Sequence, residues 1–148
     1  MKKIIATLLM IFSLDGAWAG AWGAKAFEND VALDWMSACV RSQGNKEISD
    51  ALEAVLSSNF VDADVGAVGI AAAEVVAAQH GKPGLDLPEE LRVWIERQGK
   101  SNSLKMTARK VVEKIKNSKT SELAAEWASN GQKEWRTSID NLAKRLSN

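Results

Sequence analysis

Val65–His80 reads VGAVGIAAAEVVAAQH, long enough for about four turns of α-helix. Apolar residues fall on every side of it, where a helix lying at a surface would carry a polar face. Between Asp64 and His80 the only charge is Glu74. A helix with no polar face has to be covered all round. The stretch therefore predicts a central helix over about residues 64–80, with other helices laid against it.

Glu74 is the anomaly in that helix, because an ionised carboxylate in a dry core is costly unless it is paired or hydrogen-bonded. One reading is structural: Glu74 anchors polar groups of the irregular segment Gly20–Phe27. Its expected partners are backbone N–H groups of that arm, the indole N–H of Trp22 and the side chain of Asn29. The other reading is catalytic, a general acid or base with a raised pKa. A second group for that chemistry would have to be Asp30 or Asp34.

Upstream of the central helix, Gly20–Glu28 (GAWGAKAFE) has no period and is rich in Gly and Ala, which predicts an irregular arm pinned by Trp22 and Phe27. Asn29 or Asp30 suits a helix N-cap. Ala32, Trp35, Met36, Cys39 and Val40 then form a one-face stripe on a helix that Gly44 ends. Ile48, Ala51, Leu52, Val55 and Leu56 mark a second helix over about 46–57, and Asp62 or Asp64 can cap the central one. Trp22, Phe27, Asn29, Asp30, Asp34, Trp35 and Glu74 form the set expected to seat the arm.

Downstream, Gly81 offers the left-handed conformation of a helix C-cap, and His80 suits the negative end of the dipole. Lys82–Leu85 is a loop. Asp86-Leu-Pro-Glu89 has the D-x-x-E spacing of a capping box, opening a fourth helix with Leu87, Leu91, Trp94 and Ile95 inward and a break at Gly99. A fifth helix, about 103–116, buries Leu104, Ala108, Val111, Val112 and Ile115. Shorter helices follow around 121–128 (Leu123, Trp127) and 132–146 (Trp135, Ile139, Leu142, Leu146), parted at Asn130-Gly131. No period-two run and no internal repeat interrupts this pattern. The expected fold is an all-α, single-domain bundle of about six to seven helices.

The first residues read differently. Met1-Lys-Lys3, an apolar run over Ile4–Leu14 and then Ala17-Trp-Ala19 form a basic, apolar and small-residue series, the pattern of a secretory signal cleaved after Ala19. The run falls short of the roughly 20 apolar residues that a membrane span needs. The expected location is therefore periplasmic or secreted, with no transmembrane span after cleavage.

The chain carries 19 basic and 19 acidic side chains, but they are unevenly placed. Gly20–Leu91 holds 4 basic and 12 acidic residues, a net of −8, and Arg92–Asn148 holds 13 and 6, a net of +7. Either the halves neutralise each other on packing or the basic half is kept for a partner. The basic face of the fifth helix includes Lys105, Arg109, Lys110, Lys114 and Lys116. Lys105, Arg109 and Lys116 are the candidate partner contacts. With no aromatic residue on that helix, base stacking has no support, and nucleic acid is not an expected partner.

Catalytic chemistry is thinly supplied. One His and one Cys exclude the usual zinc sets, and a nucleophile system would have to use His80. Cys39 cannot form an intramolecular disulfide and falls on an apolar stripe, which predicts an inert buried thiol. Gly66 and Gly69 lie inside a helix rather than in a phosphate loop, where they would allow close helix approach. Glu28, Asp30 and Asp34 crowd a helix start; hard carboxylate oxygens so placed suit a Ca²⁺ ion, but the preferred reading is negative charge complementing the dipole. The expectation is no resident metal and no cofactor.

Gly20-Ala-Trp-Gly23, followed by Phe27-Glu-Asn-Asp-x-Ala-Leu-Asp-Trp35, resembles the opening of the bacterial domain of unknown function 4259. Ala71–Ala78 (AAAEVVAA), Gly81-x-Pro83 and Asp86-Leu-Pro-Glu89 resemble its middle, and the Trp127 and Trp135 segments its end. The resemblance implies an α-helical domain and carries no assigned activity. Lys25 stands where the family usually has a second Gly. Cleavage after Ala19 would leave the chain starting at Gly-Ala-Trp-Gly, where most members begin.

These readings lead to an expected exported, non-enzymatic protein-interaction module, with an immunity-type role of neutralising a periplasmic toxin as its narrower form. Two alternatives stay open: a carboxylate-based hydrolase using Glu74 with Asp30 or Asp34, and a structural envelope protein.

Overall fold

The computed structural model describes residues 23–130 and 132–148. The expected cleavage site after Ala19 and the expected arm residue Trp22 lie outside the described residues. Among those residues the chain forms an all-α bundle: α1 (Asp30–Arg41), α2 (Lys46–Ser57), α3 (Ala63–Gln79), α4 (Glu89–Gln98), α5 (Lys105–Ile115), α6 (Glu122–Asn130) and α7 (Gln132–Ser147).

The organising helix is α3, as its sequence requires. From Gly69 to Gln79 every residue is buried, and each of the other helices packs against it. It starts on Asp62, whose side chain accepts the Val65 N–H at 2.9 Å. It ends in a Schellman turn in which the Gly81 N–H donates to Ala78 O and the Lys82 N–H to Ala77 O, both at 2.9 Å. Gly81 closes that turn with φ 86°, a conformation with no steric cost only for glycine.

Gly69 sits where α2 and α5 press on α3. A Cβ there would lie 2.5 Å from Val55 Cγ2 and 3.1 Å from Ile115 Cδ1, so the close approach requires glycine. Gly66 does not have this role, since its nearest neighbours would stand at an ordinary 3.6 Å.

Two helix starts were readable from different signals, and one misled. Asn29 caps α1, accepting the Ala32 N–H at 2.8 Å. The capping box expected at Asp86-Leu-Pro-Glu89 does not form. The chain enters α4 through Pro88 without a side-chain cap, so Glu89 is the first helical residue and cannot reach back from the third position. Asp86 turns outward to the Lys25 ammonium, 3.1 Å away. α1 also stops earlier than expected, with Ser42 as its C-cap, and Gly44 (φ 71°) serves the turn that follows.

The α6–α7 corner is closed by Trp127 and Trp135, whose rings stack with centroids 6.4 Å apart and planes 8° from parallel. A single parallel bridge ties this end of the chain to the α2–α3 turn. The Val61 N–H donates to Thr120 O and the Glu122 N–H to Val61 O, both at 2.9 Å.

Candidate functional site

Glu74 is buried, with 8% of its surface exposed, and its carboxylate is clasped by Arg145 of α7. Arg145 Nη2 donates to Oε1 at 2.7 Å and Nη1 to Oε2 at 2.8 Å, the bidentate geometry that suits a guanidinium to a carboxylate. The same guanidinium donates from Nε to Asn141 Oδ1 at 2.7 Å and from Nη1 to Lys82 O at 3.2 Å. Gly84 lies over the pair, so close that a Cβ would be 2.9 Å from Glu74 Oε2. The carboxylate thus holds α7 and the 82–84 loop to α3. Among the described residues its hydrogen bonds run to Arg145, and none runs to the arm's backbone or to Asn29; the expected partner Trp22 lies outside those residues.

The arm folds on itself. The Gly23 N–H donates to Glu28 O at 3.0 Å, and the Lys25 N–H donates to Glu28 Oε2 at 3.1 Å. A Cβ on Gly23 would fall 2.0 Å from Glu28 Oε2, so only glycine fits the loop. Asn29 Nδ2 donates to Ala26 O at 3.5 Å, and Phe27 packs on the core. The Asp86 carboxylate beside Lys25 holds its ammonium above the ordinary lysine range, first by the hydrogen bond and then by its charge.

Between the arm, the Gly84–Leu85 turn and α7 runs an open groove of about 870 Å³. Trp127 forms apolar wall, and Lys25, Glu28, Lys133, Glu134 and Arg145 supply charge of both signs. Leu85 stands at its edge almost wholly in solvent, 98% exposed. Arg145 lines the groove and Glu74 does not, because Arg145 occupies both carboxylate oxygens from that side.

Asp30 and Asp34 are exposed on α1, and no hydrogen bond among the described residues joins either to Glu74. Trp35 packs against the core from the same helix, and its buried indole N–H has no partner among the described residues. Among those residues no three His, Cys, Asp or Glu side chains are gathered closely enough to hold a metal ion. The Cys39 thiol is pushed up to about 12, chiefly by burial and secondarily by Glu47. At neutral pH it is a protonated core side chain.

The basic residues of α5 have separate surroundings. Lys105 Nζ meets His80 Nε2 at 3.0 Å, while His80 Nδ1 faces Asn102 Oδ1. Lys114 donates to Leu56 O at 3.1 Å and to Ser58 O, closing the end of α2. Lys116 is 2.7 Å from Asp140 of α7. Arg109 and Lys110 are exposed. Of the candidate contacts Lys105, Arg109 and Lys116, then, only Arg109 points its charge freely to solvent.

Arg145 is the residue of this site that the sequence reading missed. Its one signal is position: it flanks the Trp135, Ile139, Leu142, Leu146 stripe that α7 turns to the core. A carboxylate on an otherwise apolar central helix needs a cation from some such flank.

The family model for a domain of unknown function (DUF4259) matches residues 20–138, and the chain belongs to that family. The matched span contains Glu74, the arm and the 82–86 loop, while Asn141 and Arg145 lie beyond it. No curated protein and no solved structure matches the chain.

Proposed function

We propose that this DUF4259 protein is an exported, non-enzymatic interaction module whose protein partner lies along the groove between the arm, the Gly84–Leu85 turn and α7. The observation that carries the reading is convergence. The end of the opening motif (Gly23), the turn between Pro83 and Asp86, and Trp127 come from three distant segments that bear the family resemblance. All three border the same groove. An exposed leucine beside an aromatic wall and a rim of mixed charge is the make-up of a protein contact. The commitment of Glu74 to Arg145 argues against a hydrolase built on that carboxylate. Export is supported by the residue pattern from Lys2 to Ala19. In the narrower, immunity-type form the partner is a toxin acting in the periplasm.

Site-specific photo-cross-linking tests the groove. A cross-linking amino acid at Leu85 or Thr137 should give a discrete adduct in cells, and one at the exposed Lys110 of α5 should give none. Adducts from Lys110 alone would move the partner to the basic helix. Turnover of any substrate that is lost in Glu134→Gln would replace the binding module with an enzyme. Mass spectrometry of a periplasmic extract should find the N-terminus at Gly20, and intact Met1 protein confined to the cytoplasm would overturn export.

A further inference from the structure

A second cleft lies on the far side of the 83–87 loop, between that loop, the end of α3 and α4, and takes no part in the groove. It is open and measures about 340 Å³, within the ~300–1,000 Å³ usual for small-ligand sites. Ala78, Pro83, Leu87 and Ile95 make most of its lining apolar, and Arg92, Lys100 and Glu96 are its charged residues. Ala78 and Leu87 are core residues, so the apolar lining belongs to the packed bundle.

Arg92 is a fixed cation at this cleft. Its Nε donates to Leu87 O at 3.2 Å, and its Nη2 donates to Gly84 O at 3.1 Å and Leu85 O at 3.5 Å. These bonds hold the guanidinium in place by one edge and leave Nη1 without a hydrogen-bond partner among the described residues. An immobilised guanidinium with spare donors is suited to a carboxylate. Within the lining Lys100 adds a second positive charge against the carboxylate of Glu96; outside it the exposed Glu89 carboxylate stands 4.0 Å from Arg92 Nε. The lining therefore combines an apolar slot with a net positive mouth, which complements a molecule having an apolar chain and one anionic end.

We propose that this cleft binds a medium-chain fatty acid, with the carboxylate on Arg92 and the alkyl chain against Ala78, Pro83, Leu87 and Ile95. The chain leaves water for apolar surface, and the anionic head selects the orientation. This binding requires no protein partner in the groove, although Arg92 also holds the Gly84–Leu85 turn that borders it.

The test titrates octanoate, octylammonium and acetate into the full-length protein, followed by NMR of the Ala78 and Ile95 methyl groups. Octanoate should bind saturably and shift both methyls. Acetate should not, and octylammonium should bind about tenfold more weakly for want of the charge-assisted hydrogen bond. Ile95→Trp, which fills the slot, should abolish octanoate binding. Arg92→Gln should remove the preference for octanoate over octylammonium while leaving the weaker binding in place. If Arg92→Gln fails to fold, the charge-reversed ligand pair in the wild type still decides the matter. Equal binding of octanoate and octylammonium would reduce the cleft to an apolar surface. Absence of saturation, or shifts confined to methyls elsewhere, would overturn the proposal outright.

Discussion

Gly69 and Glu74 stand about a turn and a half apart on α3, and they hold the same helix to its neighbours in opposite ways. At Gly69 the contact is apolar and close: the missing side chain lets Val55 and Ile115 touch the helix backbone. The contact there is summed from many small dispersion terms. At Glu74 the contact is one polar knot, in which a carboxylate, a guanidinium, a backbone carbonyl and an asparagine depend on each other. An apolar seam degrades by degrees when altered. A buried ion pair is nearly all-or-nothing, because removing one partner leaves the other charged and unpaired.

The largest expected effect follows from that asymmetry. Glu74→Ala strands Arg145 and should lower stability by about 3–5 kcal/mol in denaturant melts. Glu74→Gln keeps the shape and one acceptor and should lose less. Replacing both partners together, Glu74→Met with Arg145→Met, should recover most of the loss, since an apolar pair of similar volume removes both buried charges. A double variant as unstable as Glu74→Ala would mean that the knot is not a pairwise interaction.

Gly69→Ala probes the other side of the comparison. Its added methyl meets Val55 at a distance that real contacts do not show, and overpacking of this kind should cost about 1–3 kcal/mol. Val55→Ala on the same chain should return part of that cost, because the two changes share one space. Additive losses in the double variant would show that the seam relaxes elsewhere.

Gly84→Ala sharpens the boundary between the two regimes. Its Cβ would press on the far end of a carboxylate that Arg145 prevents from moving. A loss of about 1 kcal/mol is expected, disappearing in the Glu74→Ala background where the obstacle is gone. A loss of the same size in both backgrounds would assign the strain to the loop backbone instead.

The smallest effect belongs to Cys39, an apolar member of the packed core. Its thiol is raised from 9.0 to about 12, so the folded protein holds this proton more tightly than the unfolded chain. Stability on this account is complete below pH 9 and declines as pH rises from there towards 12. Iodoacetamide at pH 8 should leave the native thiol unmodified and alkylate it on unfolding. Rapid labelling of the native protein would place Cys39 at a solvent-open surface.

Much of the apolar side of this comparison was legible in advance. The all-round burial of α3, the stripes of α1, α2 and α5, and the caps at Asn29 and Gly81 each rest on local spacing or local backbone demands. The capping box failed because the same four residues also fit an entry through Pro88, and Lys25, 61 positions away, claims Asp86. The basic face of α5 was read from one helix alone. Which of its lysines point freely depends on the α2 carbonyls and on Asp140, brought there by packing.

What the residues determined by themselves is that Glu74 must have a partner, because an apolar helix cannot bury a lone charge. Which partner it has was decided by the tertiary structure. Arg145 is 71 residues away, and no local pattern records which helix lies on that face of α3. The groove has the same origin: Gly23, Leu85 and Trp127 are neighbours only because the arm, the loop and the α6–α7 corner are drawn together on α3. Helix periodicity is a property of adjacent residues, whereas a site is a property of residues that packing makes adjacent.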